Sequence, residues 1–372
     1  MTQAVADTET TDLPRRDDID EAYKWDLSDI YPDWEAWEDD FSRTRELMDE
    51  LVEMKGTLSE GPQHLLEAYQ LNDDIGRLSY KLYRYPQLSY DTDQRNNELQ
   101  AKLQRVQQLF AEFGTKTAWF DPELLSIDEE TVMGWIDETP ELEKYRFPIS
   151  EIYRQREHRL DEEGEKLLSY ASRFNSMPRE TYRSLSTADI EFNKIELSDG
   201  EKVTVSHAEY GKLLRTRRVR EDRRNAFEAI YQVYADKRNT YASIYNGVCQ
   251  RDHALAQARS FDNTAQAALD SNNVPVSVLE TLIETAREGV APFQRYHRLR
   301  AEVLDLQGEY DLYDSSIPLV EATEEYPYDE VTDSIIESVA PLGADYQSRV
   351  REALGSRWID VYETKGKRSG AY

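Results

Sequence analysis

The chain has 372 residues, 39% of them hydrophobic, enough to bury a sizeable core. Acidic residues number 74 against 45 basic ones, for a net charge of -29, and Cys249 is the single cysteine. The charge argues against a nucleic-acid partner, because the phosphate term would be repulsive. The lone cysteine excludes a disulfide framework and fits a reducing cytoplasm, and no apolar run of about 18 residues exists to cross a bilayer, so no membrane partner is expected.

Residues 1–18, "MTQAVADTETTDLPRRDD", are rich in Thr, Asp and Glu and read as a disordered acidic tail. They lack the basic start and apolar run of a secretory signal. Leu78, Leu82 and Tyr85 form a helical stripe that Pro86 is expected to end. Leu99, Leu103, Val106, Phe110 and Phe113 recur at alternating spacings of four and three, one face of an amphipathic helix. "REHRLDEEGEK" (156–166) reads as a solvated helical face laced with charge pairs.

"DIEFNKIELSDGEKVTVS" (189–206) breaks the helical pattern. Short β-forming runs flank Asp199-Gly200, which predicts a β-hairpin. Beyond it, Phe227, Ile230, Tyr231 and Tyr234, then Tyr241, Ile244, Tyr245 and Val248, predict one long helix from about 219 to 258. Leu279, Leu282, Ile283, Ala286 and Val290 predict another, starting after Pro275. "DLYDSSIPLVEATEEYPYD" (311–329) is irregular, limited by Pro318 and Pro327. A last helix is expected over 328–355 and stops at Gly355. A basic glycine turn follows, and Gly370-Ala371-Tyr372 opens an extended stretch. The fold class is therefore mainly α with one small hairpin. Most of the 24 tyrosines fall at helical spacing and read as packing residues.

Candidate chemistry is sparse. The five histidines are His64, His158, His207, His253 and His297, and no two lie four residues apart, so there is no HExxH helix. His207-Ala208-Glu209 reads as a capping or surface pair. Cys249 and His253 can share a helix face, but two ligands do not close a metal site, and Cys249 is expected to be a buried small residue. No phosphate loop, dinucleotide turn or nucleophile elbow is present, and Gly366-Lys367 lacks the loop and helix that a phosphate site requires. The acids are scattered along the chain, which reads as adaptation to a salt-rich medium that screens self-repulsion.

Five separated segments carry a family likeness in one order and spacing. They are "YKWDLSDIYPDWEAWEDDF" (23–41), "YRFPISEIYRQREHRLDEEGEKLLSYAS" (145–172), the helix pair over 225–269, "YDLYDSSIPL" (310–319) and "RWIDVYETKGKRSGAY" (357–372). Together they resemble oligoendopeptidase F, a thimet-oligopeptidase-like zinc metallopeptidase. The resemblance implies a two-lobed helical architecture with a deep channel that admits short unfolded peptides. It implies peptide hydrolysis by a zinc-activated water with a glutamate as general base. The family's HExxH helix would fall beyond Tyr372, so no catalytic or metal-binding residue carries over and the catalytic domain is expected to be truncated. The implied cofactor is zinc, held by ligands outside these residues. The implied partners are short peptides and a complementary C-terminal chain. Ser369, Gly370, Ala371 and Tyr372 resemble the segment leading to a substrate-pairing strand; otherwise they are a glycine turn without a partner. The expected division is a tail over 1–18, a helical oligopeptidase F region over 19–200, and the first part of a zinc peptidase domain over 201–372. Alone, such a chain is expected to be inactive, with apolar faces exposed around 225–258 and 328–358. The alternative is a non-catalytic helical peptide-binding or scaffold protein derived from the same family.

Overall fold

The structure is a computed structural model that describes residues 13–320, 326–368 and 370. Its helices in chain order are α1 (Trp34–Glu53), α2 (Pro62–Asp91), α3 (Asn97–Lys116), α4 (Phe120–Leu125), α5 (Glu129–Glu138), α6 (Arg146–Arg154), α7 (Glu162–Tyr170) and α8 (Ser172–Arg183). Strands β1 (Lys194–Glu196) and β2 (Lys202–Thr204) follow. After them come α9 (His207–Thr216), α10 (Arg220–Ala235), α11 (Arg238–Ala258), α12 (Thr264–Asp270), α13 (Val276–Glu288), α14 (Val290–Val303), α15 (Tyr328–Ser338) and α16 (Ala344–Gly355). The mainly helical class and the hairpin are as the sequence predicts. The strands pair antiparallel with Ile195 opposite Val203, and Gly200 takes φ +88° in the turn, a conformation that favours glycine.

The helix starts follow from side-chain chemistry. Asp33, Asn96, Asp128, Asp161, Ser206 and Asn263 each accept a hydrogen bond from a first-turn backbone N–H of the helix they precede.

Two compact units interleave along the chain: residues 1–26, 185–241 and 277–372 make one, and 27–184 with 242–276 the other. The second unit has the larger core. Trp37, Leu65, Leu82, Val106, Leu124, Ile136, Leu142 and Ile149 are all buried in one cluster supplied by α1 to α6 and the turns between them. The predicted α3 stripe is part of it, through Val106. The first unit packs a smaller cluster in which Leu197, Val203 and Val205 of the hairpin meet Leu213, Ala226 and Ile230.

Four helix expectations need correction. Pro86 does not end its helix; α2 continues to Asp91. Proline removes one intrahelical donor and leaves the Leu82 carbonyl unpaired, and the buried indole Nε1 of Trp37 donates to that oxygen at 3.0 Å. The expected 219–258 helix is two helices, broken at Asp236-Lys237 by a tight turn in which the Lys237 N–H bonds back to Tyr234. The expected helix through Val290 ends at Glu288, and Val290 opens α14. The expected 328–355 helix is also two, because Pro341 and Gly343, at φ +97°, interrupt it. Cys249 is exposed, not buried: Ala256 is the one buried residue of α11.

Exposed apolar side chains occur in both regions where they are expected, among them Tyr231, Tyr245, Leu342 and Trp358. The denser set lies on α13 and α14, where Leu282 and Phe293 are 64% and 68% exposed.

Among the described residues no helix is long and apolar enough to cross a membrane.

Candidate functional site: the terminal segment and its seat

The segment after α16 is built from its own turn upward. Thr364 to Lys367 close a turn, with the Lys367 N–H bonding to the Thr364 carbonyl at 3.1 Å and Gly366 at φ +84°. This is the basic glycine turn expected from the sequence. Backbone hydrogen bonds then tie the segment to residues near the start of the chain. The Asp26 N–H reaches the Arg357 carbonyl (2.7 Å), Val361 N–H reaches Tyr23 (3.0 Å) and Lys365 N–H reaches Pro14 (2.9 Å). Residues 14–18, read from sequence as tail, therefore include a backbone partner of this segment.

Asp360 is the anchor. Its side chain is 4% exposed, and its carboxylate meets Arg16 Nη1 and Lys367 Nζ, each at 2.7 Å. The Trp25 N–H also donates to it at 3.3 Å. Burial works to raise the Asp360 pKa, but the hydrogen bonds from Lys367 and Arg16 outweigh it and hold the carboxyl below its ordinary range. Lys367 spends its other donors on the carbonyls of Asp360 (2.8 Å) and Tyr362 (2.7 Å). Tyr23 packs edge-on against Tyr362, ring centroids 5.0 Å apart.

Glu363 faces the hairpin side of the same unit. The buried Ser206 Oγ donates to Glu363 Oε2 at 3.1 Å while accepting from the Glu209 N–H at 3.2 Å as the cap of α9. Burial pushes the Glu363 pKa up, against the Ser206 hydrogen bond, and the charge of Glu209 adds to the rise. His207 lies one residue on. Its Nε2 pairs with the Tyr234 hydroxyl at 2.8 Å, and burial holds its pKa below the ordinary value.

A second polar centre seats the 310–319 turn. Asp314 is fully buried and accepts from Arg223 Nη2 (2.6 Å), Arg220 Nε (3.1 Å) and the Asp311 N–H (2.9 Å). Arg300 donates to the Ile317 carbonyl from the other side. Arg220 and Arg223 are thus structural ligands of a buried carboxylate.

The chemistry of this region is positioning. Ser206 is committed to a cap and a carboxylate, and His207 to a phenol. Among the described residues no three His, Cys, Asp or Glu side chains converge as metal ligands. The described residues therefore supply no ligand set for a zinc ion. Of the four residues expected on the substrate side, Ser369, Ala371 and Tyr372 lie outside the described residues. Gly370 is exposed at φ +118°, a conformation that favours glycine.

Residues 123–192 match the family model described as Oligopeptidase F, and residues 213–372 match that of Peptidase family M3. Oligopeptidase PepF of Bacillus subtilis (strain 168) is 36% identical over 97% of the chain. The chain belongs to peptidase family M3, in its oligoendopeptidase F branch. Family M3 is one of zinc metalloendopeptidases. Group B oligopeptidase PepB of Streptococcus agalactiae is 31% identical over 96% of this M3 chain. The crystal structure of oligoendopeptidase-F from Enterococcus faecium superposes with a TM-score of 0.73 at 30% identity, over 85% of this chain and 60% of that one. The M3 chain spans 54% of the length of PepF and 59% of that of PepB.

Proposed function

We propose that these 372 residues form the N-terminal part of an oligoendopeptidase F-like zinc metalloendopeptidase that cleaves short unfolded peptides, and that they are inactive by themselves. The observation carrying this reading is the match of residues 213–372 to the M3 model in a sequence that contains no HExxH. In the division we propose, 19–200 is the helical N-terminal region and 201–372 the first part of the peptidase domain. The two family matches, over 123–192 and 213–372, support it. In this reading Ser369 to Tyr372 lead toward a substrate-pairing strand, which the firm seating of the preceding segment through Asp360 supports. We place the protein in a salt-rich cytoplasm, on its net charge of -29 and its single cysteine.

The test is an assay of a quenched fluorescent peptide by the 372-residue chain, alone and with a C-terminal M3 segment supplied as a second polypeptide. We expect no cleavage by the chain alone, and chelator-sensitive cleavage once the second polypeptide is present. Unaided cleavage by the 372 residues sinks the proposal.

A further inference from the structure

A cleft of about 620 Å³ opens in the unit formed by residues 27–184 and 242–276. That is within the usual range for small-molecule sites. Glu165 of "REHRLDEEGEK" lines part of it, so that segment is not the plain solvated face its sequence suggests. Glu165 is held by both Nη atoms of Arg259 at 2.8 Å and by the Leu160 N–H at 3.0 Å. Arg259 Nη1 also donates to the His158 carbonyl, and His158 stacks on Phe261 with centroids 3.6 Å apart. These groups are satisfied.

Two others are not. Tyr69 is 7% exposed, and its hydroxyl has no hydrogen-bond partner among the described residues. A buried hydroxyl left unpaired costs about 1–3 kcal/mol, so a ligand that pairs with it recovers that cost. Asp121 makes one ion pair, Oδ2 to Arg159 Nη1 at 2.7 Å, and accepts no hydrogen bond among the described residues. Burial raises the Asp121 pKa more than the charge of Arg159 lowers it. Tyr69 and Asp121 both line the cleft, and the Tyr69 ring meets Phe120, the neighbour of Asp121 in sequence, edge-on with centroids 5.6 Å apart.

The rest of the lining is apolar and aromatic: Phe113, Phe120, Ile152, Leu168 and Leu255. An under-coordinated carboxylate, a free phenol oxygen and aromatic faces together suit an ammonium head, with the walls accepting a hydrocarbon body. Among the described residues an anion finds no free cation here, because Arg159 and Arg259 are both engaged, and the chain's charge of -29 repels it. A plain hydrocarbon leaves Tyr69 unpaired.

We infer that this cleft binds a small primary ammonium compound with an apolar body, its nitrogen seated between Asp121 and Tyr69. This inference does not rest on the proposed peptidase function.

The test uses the full 372-residue chain and calorimetric titration at neutral pH. Phenethylamine is the probe. N-acetylphenethylamine and 3-phenylpropionate carry the same body without the cation, and ethylamine carries the cation without the body. Phenethylamine should bind roughly tenfold or more tighter than each of the other three. Tyr69→Phe should weaken it several-fold, and Asp121→Asn should abolish the preference for the amine over its acetylated form. Ethylamine binding as well as phenethylamine would mean simple attraction to an acidic surface and overturns the site. So does equal binding of the neutral or anionic analogue, or no binding of phenethylamine. If Asp121→Asn fails to fold by circular dichroism, the four-ligand series on the unaltered chain and Tyr69→Phe still decide the matter.

Discussion

Trp37 shows how one side chain can let a proline sit inside a helix. Its indole N–H completes the Leu82 carbonyl that Pro86 leaves open, deep in the larger core. Trp37→Phe keeps most of the apolar volume but orphans that carbonyl. We expect a loss of about 1–3 kcal/mol, beyond the small change in packing, read as a lower urea midpoint. Glu363 supplies a prediction with a pH signature. Its folded pKa is raised, so between its ordinary value and the raised one the folded chain holds more protons than the unfolded chain. Its contribution to stability is therefore present below the ordinary value and is lost as pH rises through the folded one. Glu363→Gln removes that loss while keeping an acceptor for Ser206. The variant should be more stable than the parent at neutral pH, with the gap closing in acid, in urea melts across the two conditions. Asp360 runs the opposite way: with its pKa lowered, its contribution is full above the ordinary carboxylate value and is lost as pH falls through the depressed one.

At the scale of elements, the 310–319 turn depends on a buried carboxylate. Asp314 neutralises Arg223, which is itself buried, and caps the short 3-10 turn Leu312–Asp314 by accepting from the Asp311 N–H. Asp314→Ala strands a buried guanidinium, and breaking a buried pair from one side costs about 3–5 kcal/mol. We expect the chain to unfold at markedly lower denaturant, and Arg223→Met in the same background to recover part of the loss. The terminal segment is an element of another kind. Its described residues form no helix or ladder, and backbone hydrogen bonds to residues 14–26 and the Asp360 cluster hold them in place.

At the scale of the whole molecule, net charge dominates. A surplus of 29 negative charges repels itself when it is folded into a compact body. The screening length falls from roughly 10 Å at 0.1 M salt to about 3 Å at 1 M. Many of the ion pairs are exposed and contribute little each, so weakening them removes less than screening restores. The melting temperature should climb as potassium chloride is raised across that range. A flat or falling profile would remove the salt-rich reading of the composition.

The sequence by itself determined what is local. Helical period, the Asp-Gly hairpin and the basic glycine turn all rest on contacts within a few residues, so they were legible, as was membership of the M3 family from five ordered segments. Tertiary structure alone decided what depends on distant partners. Pro86 lies within a helix because Trp37, far off in the chain, supplies the missing donor. Arg223 and Glu165 are buried or half-buried because Asp314 and Arg259 meet them from other elements, and charge patterning cannot reveal a partner many residues away. Cys249 is exposed because a helix's period says which residues share a face, and only packing says whether that face is covered.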